Sequence, residues 1–142
     1  MIILGADHAG YELKEEIKNY LIEQNEDIVD VGAFKVDQED NFSTFVNLMS
    51  KAFMSNAEAN IIACCGSGVG MNIGLNKIRG VFSCLGHSVE EVKKAREHNN
   101  INALALGGRT TNFDLAKQMV EVFLNTEHLG GKYTKRMEEI DK

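Results

Sequence analysis

Two hydrophobic rhythms alternate along this chain. Short, almost unbroken apolar runs at Ile2–Ala6, Asn60–Cys65 and residues 102–106 read as buried strands, and residues 27–31 and 81–85 read the same way. Between them lie longer stretches with apolar residues at helical spacing. Tyr11–Glu23 carries Leu13, Ile17, Tyr20 and Leu21 in that pattern, and residues 42–54 place Phe45, Leu48, Met49, Ala52 and Phe53 on one face. A glycine-rich turn leads into a short helix around residues 71–76. Ser88-Val89-Glu90-Glu91 is a capping pattern that opens the next helix, and Thr111 with Asp114 is expected to cap another over residues 112–124. Gly130-Gly131 then breaks the chain before a charged helix that starts at Lys132. Five strand–helix repeats predict a single α/β domain over residues 1–142: a Rossmann-like, three-layer αβα arrangement with a five-stranded parallel sheet. The last helix offers only Met137 and Ile140 as apolar anchors and is expected to pack on a partner subunit. Residues 34–41 are the least regular and are expected to form a mobile loop.

Charge narrows the function. Fifteen basic against 21 acidic residues leave a formal net charge of -6 in 142 residues. That balance speaks against a nucleic-acid or anionic-membrane surface. An anionic ligand would therefore need a local cluster of cations. No apolar run is long enough to span a bilayer, and the start lacks the basic and apolar segments of a secretory leader, so the expected location is the cytoplasm. Three cysteines, two of them adjacent, show no disulfide framework.

In an open parallel sheet, ligands bind beyond the carboxyl ends of the strands. Asp7 and His8 follow the first strand. Cys65-Gly66-Ser67-Gly68-Val69-Gly70 ends the third, His87 follows the fourth, and Gly107-Gly108-Arg109 follows the fifth. The Gly66–Gly70 turn lacks the Gly-Lys-Ser/Thr of a P-loop and the spacing of a dinucleotide fingerprint. It reads either as a structural turn or as an anion site of free amides at a helix start. Cys65 lies at that helix start, where a thiolate is favoured, or is simply a small buried hydrophobe. Cys64 points to the opposite face and, like Cys84, reads as the latter. Asp7-His8 admits a metal pair, a receiver-type acidic pocket or an acid–base pair, although a metal site wants more ligands at tight spacing. His87, His98 and His128 form no ligand motif. His87 supports the site or lines a loop, and His128 reads as a surface residue. Arg96-Glu97-His98-Asn99-Asn100 precedes the fifth strand, away from its own site, and reads either as a polar helix end with a basic residue or as a segment that serves a neighbouring subunit across an interface. Lys132, Lys135 and Arg136 by themselves read as a solvated helix face.

Several motifs in order make the chain resemble the ribose-5-phosphate isomerase B family, which includes the galactose-6-phosphate isomerase subunits. They are Gly5-Ala6-Asp7-His8-Ala9-Gly10, Cys65-Gly66-Ser67-Gly68-Val69-Gly70-Met71, Asn76-Lys77-Ile78-Arg79-Gly80, Ala95-Arg96-Glu97-His98-Asn99, Leu104-Ala105-Leu106-Gly107-Gly108-Arg109, Leu124-Asn125-Thr126-Glu127 and Gly130-Gly131-Lys132. The resemblance runs essentially from end to end. It implies an aldose–ketose isomerase acting on ribose 5-phosphate and ribulose 5-phosphate through an enediolate, with no metal and no cofactor. It makes Cys65 the general base, and it gives the anion hole to Ser67 and the amides of Gly68 and Gly70, with Gly66 in the same substrate-binding loop. His98 would help open the sugar ring, and Asp7 and Asn99 would contact sugar oxygens. His8, Arg109, Lys132 and Arg136 would bind phosphate. It also implies a homodimer with sites shared between subunits, or a tetramer built from such dimers.

The chain departs from the family at several points. Lys132 stands where arginine is frequent, Tyr133 where histidine is common, and Ser88 and Asn100 replace aspartates. Asp40-Asn41-Phe42-Ser43-Thr44 replaces an Asp-Tyr-Pro-Asp-Tyr segment that borders the sugar end. A six-carbon sugar phosphate, such as allose 6-phosphate or galactose 6-phosphate, and a non-catalytic phosphosugar-binding subunit are the alternatives. Retention of Cys65 and His98 favours a catalytic pentose enzyme. A phospho-receiver ranks below these, because Cys65 and Arg109 occupy the places of its acceptor aspartate and its lysine.

Overall fold

A computed structural model describes residues 1–140. The elements run β1 (Ile2–Ala6), α1 (Tyr11–Glu23), β2 (Ile28–Asp30), α2 (Phe42–Ser55), β3 (Asn60–Cys65), α3 (Val69–Asn76), β4 (Ser83–Leu85), α4 (Val89–Asn99), β5 (Ala103–Gly107), α5 (Phe113–Asn125) and α6 (Lys132–Ile140). All strand pairs are parallel, in the order β2-β1-β3-β5-β4. The predicted five-stranded α/β architecture is present.

The sheet is covered on both faces, and this is why its strands are almost wholly apolar. Ile2, Leu4, Ala6, Ile62, Cys64, Leu104 and Leu106 face α1, α4 and α5. Ile3, Ile61, Ala63, Cys65, Ala103 and Ala105 face α2 and α3. Alternation along β3 thus sends Cys64 and Cys65 to opposite layers, as expected. Among the described residues, no helix is long and apolar enough to cross a membrane.

Several local expectations shift. The two edge strands shrink to three residues each. On α2 the buried residues are Phe45, Val46, Met49 and Phe53, whereas Leu48 is exposed. The helix after β5 is capped by Asn112, whose side chain accepts from the Leu115 amide at 2.9 Å; Thr111 and Asp114 do not cap it. Asparagine is as good a cap as threonine, and it stands one residue nearer the helix. Ser88 caps α4 as predicted, accepting from the Glu91 amide at 3.1 Å. The last helix lies on α4 of its own chain, where the His98 and Tyr133 rings stack at 4.4 Å and Asn99 meets Met137. His128 is half-buried, not a surface residue. It bonds the Glu97 carbonyl at 2.9 Å and the Thr134 hydroxyl at 3.0 Å, tying α6 to α4.

The helical spacing of α1 gave no warning of Lys14, whose side chain is 1% exposed. Its ammonium donates to both Asp30 carboxylate oxygens at 2.9 Å and to the Ala33 carbonyl at 2.6 Å. Lys18 adds a bond to Asp30 at 3.0 Å, and the Gly32 amide another at 2.9 Å. Burial pushes the Asp30 carboxyl up, but the bonds from Lys14, Gly32 and Lys18 outweigh it and hold the group below the ordinary carboxylate range. The network fastens the segment after β2, which pairs in turn with Ala6 through Gly32 and Ala33. Removing one partner of a buried ion pair leaves an uncompensated charge. We therefore expect Asp30→Asn to lose about 3–5 kcal/mol in chemical denaturation at neutral pH. The Asp30 contribution is complete above the carboxylate pKa of the unfolded chain, about 3.9, and disappears as pH falls through the lower folded value. The variant's stability deficit should accordingly shrink in acid.

Candidate active site

The connections from β1 and β3 leave in opposite directions, to β2 on one side and toward β4 and β5 on the other. This reversal opens a crevice between their carboxyl ends. Ala6 pairs with Cys64 and Cys65 with Gly107, so Asp7, Gly66 and Gly108 emerge side by side. A cavity of about 440 Å³ opens there, lined by Asp7, Phe42, Cys65, Gly66, Ser67, Gly70, Arg109 and Thr110. A larger depression of about 670 Å³ between α2 and α3 is lined by residues such as Phe53, Met54 and Ile78 and offers no carboxylate, thiol or imidazole.

Backbone geometry sets the sulfur. Gly68 has φ +82°, and a Cβ there would stand 2.9 Å from the Leu106 carbonyl carbon and 2.7 Å from Leu85 Cδ1, so glycine alone fits the turn. The Gly68 amide donates to Cys65 Sγ at 3.2 Å. In this arrangement that N–H points at the sulfur. The Gly70 amide lies in the first turn of α3, where N–H groups lack intrahelical acceptors. Ser67 is exposed, and its hydroxyl accepts from the Val69 amide at 3.3 Å. Cys65 is 5% exposed and Cys64 fully buried. Burial, and next the neighbouring Cys65, push the Cys64 thiol well up.

Asp7 is buried and accepts from the Ala9 and Gly10 amides at 2.9 and 3.0 Å, steadying the entry to α1. His8 follows it, and both its Nδ1 and its backbone amide meet Asp40 Oδ1, at 2.7 and 3.0 Å. The loop expected to be irregular is thereby pinned at its end. Asp7, His8 and Asp40 bring one potential ligand atom each within 4.8 Å of one another. Two of the three are already hydrogen-bonded to each other, and Asp7 Oδ1 is taken by two amides. The starts of α1 and α3 both point here, so their dipoles favour an anion in a chain of net negative charge.

Asp7, His8, Cys65, Gly66, Ser67, Gly68, Gly70 and Arg109 thus come together. His98, Asn99, Lys132 and Arg136 do not join them. α4 returns the chain from the carboxyl edge, so His98 and Asn99 lie at the opposite edge, where Lys132 and Arg136 flank Tyr133 at 5.3 and 5.5 Å from its ring. His87 is exposed. Sequence reasoning placed residues 40–44 at the sugar end only through the resemblance and gave Asp40 and Phe42 no role of their own, and it passed over Thr110. Asp40 lies in a segment without helical or strand periodicity, and Phe42 opens α2 off the apolar face that marks the helix, although an acidic residue and an aromatic ring at a helix start were a usable signal.

Fold and site together define an open, doubly wound α/β protein whose ligand crevice is lined by a thiol, a carboxylate and a guanidinium. The chain belongs to the Ribose/Galactose Isomerase family, whose profile matches residues 2–140. It is 31% identical over 139 residues to ribose-5-phosphate isomerase B of Escherichia coli, covering 98% of this chain and 93% of that one. It is 37% identical over 125 residues to the Mycobacterium leprae enzyme of the same name, covering 88% and 77%. Among solved structures, ribose 5-phosphate isomerase of Thermotoga maritima superposes with a TM-score of 0.93 at 34% identity, covering 99% of this chain and 96% of that one. Ribose-5-phosphate isomerase B of Mycoplasma genitalium, solved with bound ribulose-5-phosphate, gives 0.93 at 31% identity, covering 98% and 92%.

Burial separates the two adjacent thiols. Iodoacetamide on the native protein at neutral pH is expected to alkylate Cys65 while Cys64 stays unmodified until the chain unfolds, as read by peptide mass spectrometry. Equal labelling of both would contradict the packing described.

Proposed function

We propose that the chain is an aldose–ketose isomerase that interconverts ribose 5-phosphate and ribulose 5-phosphate through an enediolate, with Cys65 as general base and no metal. The observation that carries the reading is Cys65 Sγ in the crevice, held as a hydrogen-bond acceptor by the Gly68 amide. The family and the ribulose-5-phosphate complex of the Mycoplasma genitalium relative support the substrate class.

The chemistry balances without an external reagent. The thiolate of Cys65 takes the proton from C2 of the open-chain aldose, and the C1 carbonyl oxygen becomes an oxyanion. Ser67 and the Gly70 amide meet that developing charge, where fixed donors lower the barrier most. The thiol then returns the proton to C1 while the C2 hydroxyl loses its own to the C1 oxygen, through the site, to give the ketose. Asp7, held by two amides, orients the sugar hydroxyls. His8 and Arg109 hold the phosphate, whose binding energy fixes the reacting carbons beside the sulfur.

Ring opening falls to His98, and Asn99, Lys132 and Arg136 complete the sugar and phosphate contacts. All four lie at the far edge of their own chain, so they act on the crevice of a second copy. The working unit in this reading is a homodimer with shared sites, alone or paired into a tetramer.

A six-carbon sugar phosphate is the second reading, favoured by Phe42. Its ring walls the cavity and offers no hydroxyl, so substrate length on that side is limited by shape rather than by a polar contact.

Purified protein is expected to isomerise ribose 5-phosphate undiminished by a chelator, and Cys65→Ala should lower kcat by about 10²–10⁴-fold. Folded wild type that turns over only allose 6-phosphate would transfer the assignment to six-carbon substrates. Mixing Cys65→Ala with His98→Asn, each inactive alone, should restore turnover, because a mixed dimer holds one intact shared site. Failure to complement, with mixed dimers shown to form, would place His98 outside the site.

A further inference from the structure

We propose that Asp40 is a positioning residue for His8: it fixes which ring nitrogen of His8 carries the proton on the protein side and leaves Nε2 to meet the ligand. The inference rests on the isomerase reading only for the identity of that ligand.

The geometry is specific. A single oxygen, Asp40 Oδ1, takes two bonds from one residue, from the His8 backbone amide at 3.0 Å and to Nδ1 at 2.7 Å. The two residues are separated by 32 positions in the chain, so the contact is made by the fold and not by a local turn. Both side chains are mostly buried, at 19% and 12% exposure. The amide contact fixes the carboxylate relative to the end of β1, and the ring contact then fixes the imidazole relative to the carboxylate. An ionised carboxylate only accepts hydrogen bonds, so the ring nitrogen facing it must be the donor. Nδ1–H therefore points at Asp40, and Nε2 is the nitrogen available to a ligand, where it donates to a phosphate oxygen when it too carries a proton. A hydrogen-bonded partner of this kind sets tautomer and ring orientation together.

The other carboxylate oxygen, Oδ2, is buried and has no hydrogen-bond partner among the described residues. A buried, unmatched acceptor is costly. Nothing in the loop's own packing uses this oxygen, so the fold tolerates it while the contact that Asp40 makes is to His8. Lys14 and Lys18, the nearby cations of α1, are engaged by Asp30 instead. The hydrogen bonds that Asp40 makes from this carboxylate both go to His8, so it acts through His8.

Two readouts test this. The first is the ring ¹⁵N spectrum of His8 in the free protein and with added inorganic phosphate. Wild type should show Nδ1 protonated, and Asp40→Ala should show the proton redistributed between the two nitrogens. The second is kinetics. A hydrogen bond involving a charged group contributes about 1.5–3 kcal/mol, so the KM for ribose 5-phosphate should rise roughly tenfold or more in Asp40→Ala while kcat changes far less. Asp40→Asn, which keeps an acceptor oxygen, should recover most of the affinity. In a His8→Ala background, Asp40→Ala should add nothing further.

A wild-type Nδ1 without a proton overturns the proposal whatever the activity. So does a loss in kcat that persists unchanged in the His8→Ala background, since that is what a general loosening of the loop would give. A wild type that binds phosphate and shows the Nδ1 proton, yet turns over no sugar phosphate, supports the positioning role and defeats only the isomerase reading.

Discussion

The carboxyl edge of the sheet depends on three loops meeting backbone to backbone. Gly108 donates to the Cys65 carbonyl at 2.7 Å, Arg109 to the Gly66 carbonyl at 3.0 Å and Asp7 to the Cys64 carbonyl at 3.3 Å. These bonds continue the registry of β1, β3 and β5 past the ends of the strands. They leave no room for side chains at the crossing points: a Cβ on Gly107 would stand 2.8 Å from the Ser67 carbonyl carbon, and one on Gly10 would stand 2.7 Å from Cys64 Cβ. The side chains that do line the crevice start from backbone positions held to within hydrogen-bond tolerance of one another. A thiol, a carboxylate and a guanidinium from three separate strands therefore converge without a dedicated core of their own.

Electrostatics follow from the same arrangement. A chain with net charge -6 is a poor partner for a dianion unless the local field opposes the global one. Here the local field comes from helix starts and from Arg109, placed at the crevice, while acidic side chains nearby are neutralised by the fold. Asp7 is bound by two amides, Asp40 by His8, and Asp30 by Lys14 and Lys18. Each carboxylate near the site already has donors, so it competes little with an incoming anion for the remaining ones.

The layers of the fold were legible because they depend on periodicity. Unbroken apolar runs announced a doubly covered sheet, and alternation placed Cys64 and Cys65 on opposite faces. The cap at Ser88 was legible for the same reason: its partners lie within four residues. Half of the site was legible as well, since Asp7, His8, Cys65, Ser67 and Arg109 follow strands directly. The rest was not, because it depends on contacts between residues far apart in the chain. Lys14 occupies an apolar position of α1 only because Asp30 waits beneath it. Asp40 sits in a segment with no period and meets His8 across 32 residues. His128 looked like surface because nothing local showed that Glu97 and Thr134 would take both its nitrogens. Asn112 in place of Thr111 as the cap was a choice between adjacent residues of similar chemistry, and only the backbone conformation decides it.

The last helix carries the argument furthest. α6 has no buried residue, and nine residues are too few to hold a helix in water alone. What holds it is the end of α4: His98 stacked on Tyr133 with the ring planes 7° apart, Asn99 against Met137, and His128 bridging to Thr134. α4 spans 11 residues, roughly 16 Å, so this assembly lies a full sheet length from the Cys65 crevice of the same chain. Within its own chain His98 orders the helix that displays Lys132 and Arg136. His98 and Cys65 of one chain are too far apart to engage one small ligand, so the shared-site reading proposed above makes the order of α6 a condition for a complete site.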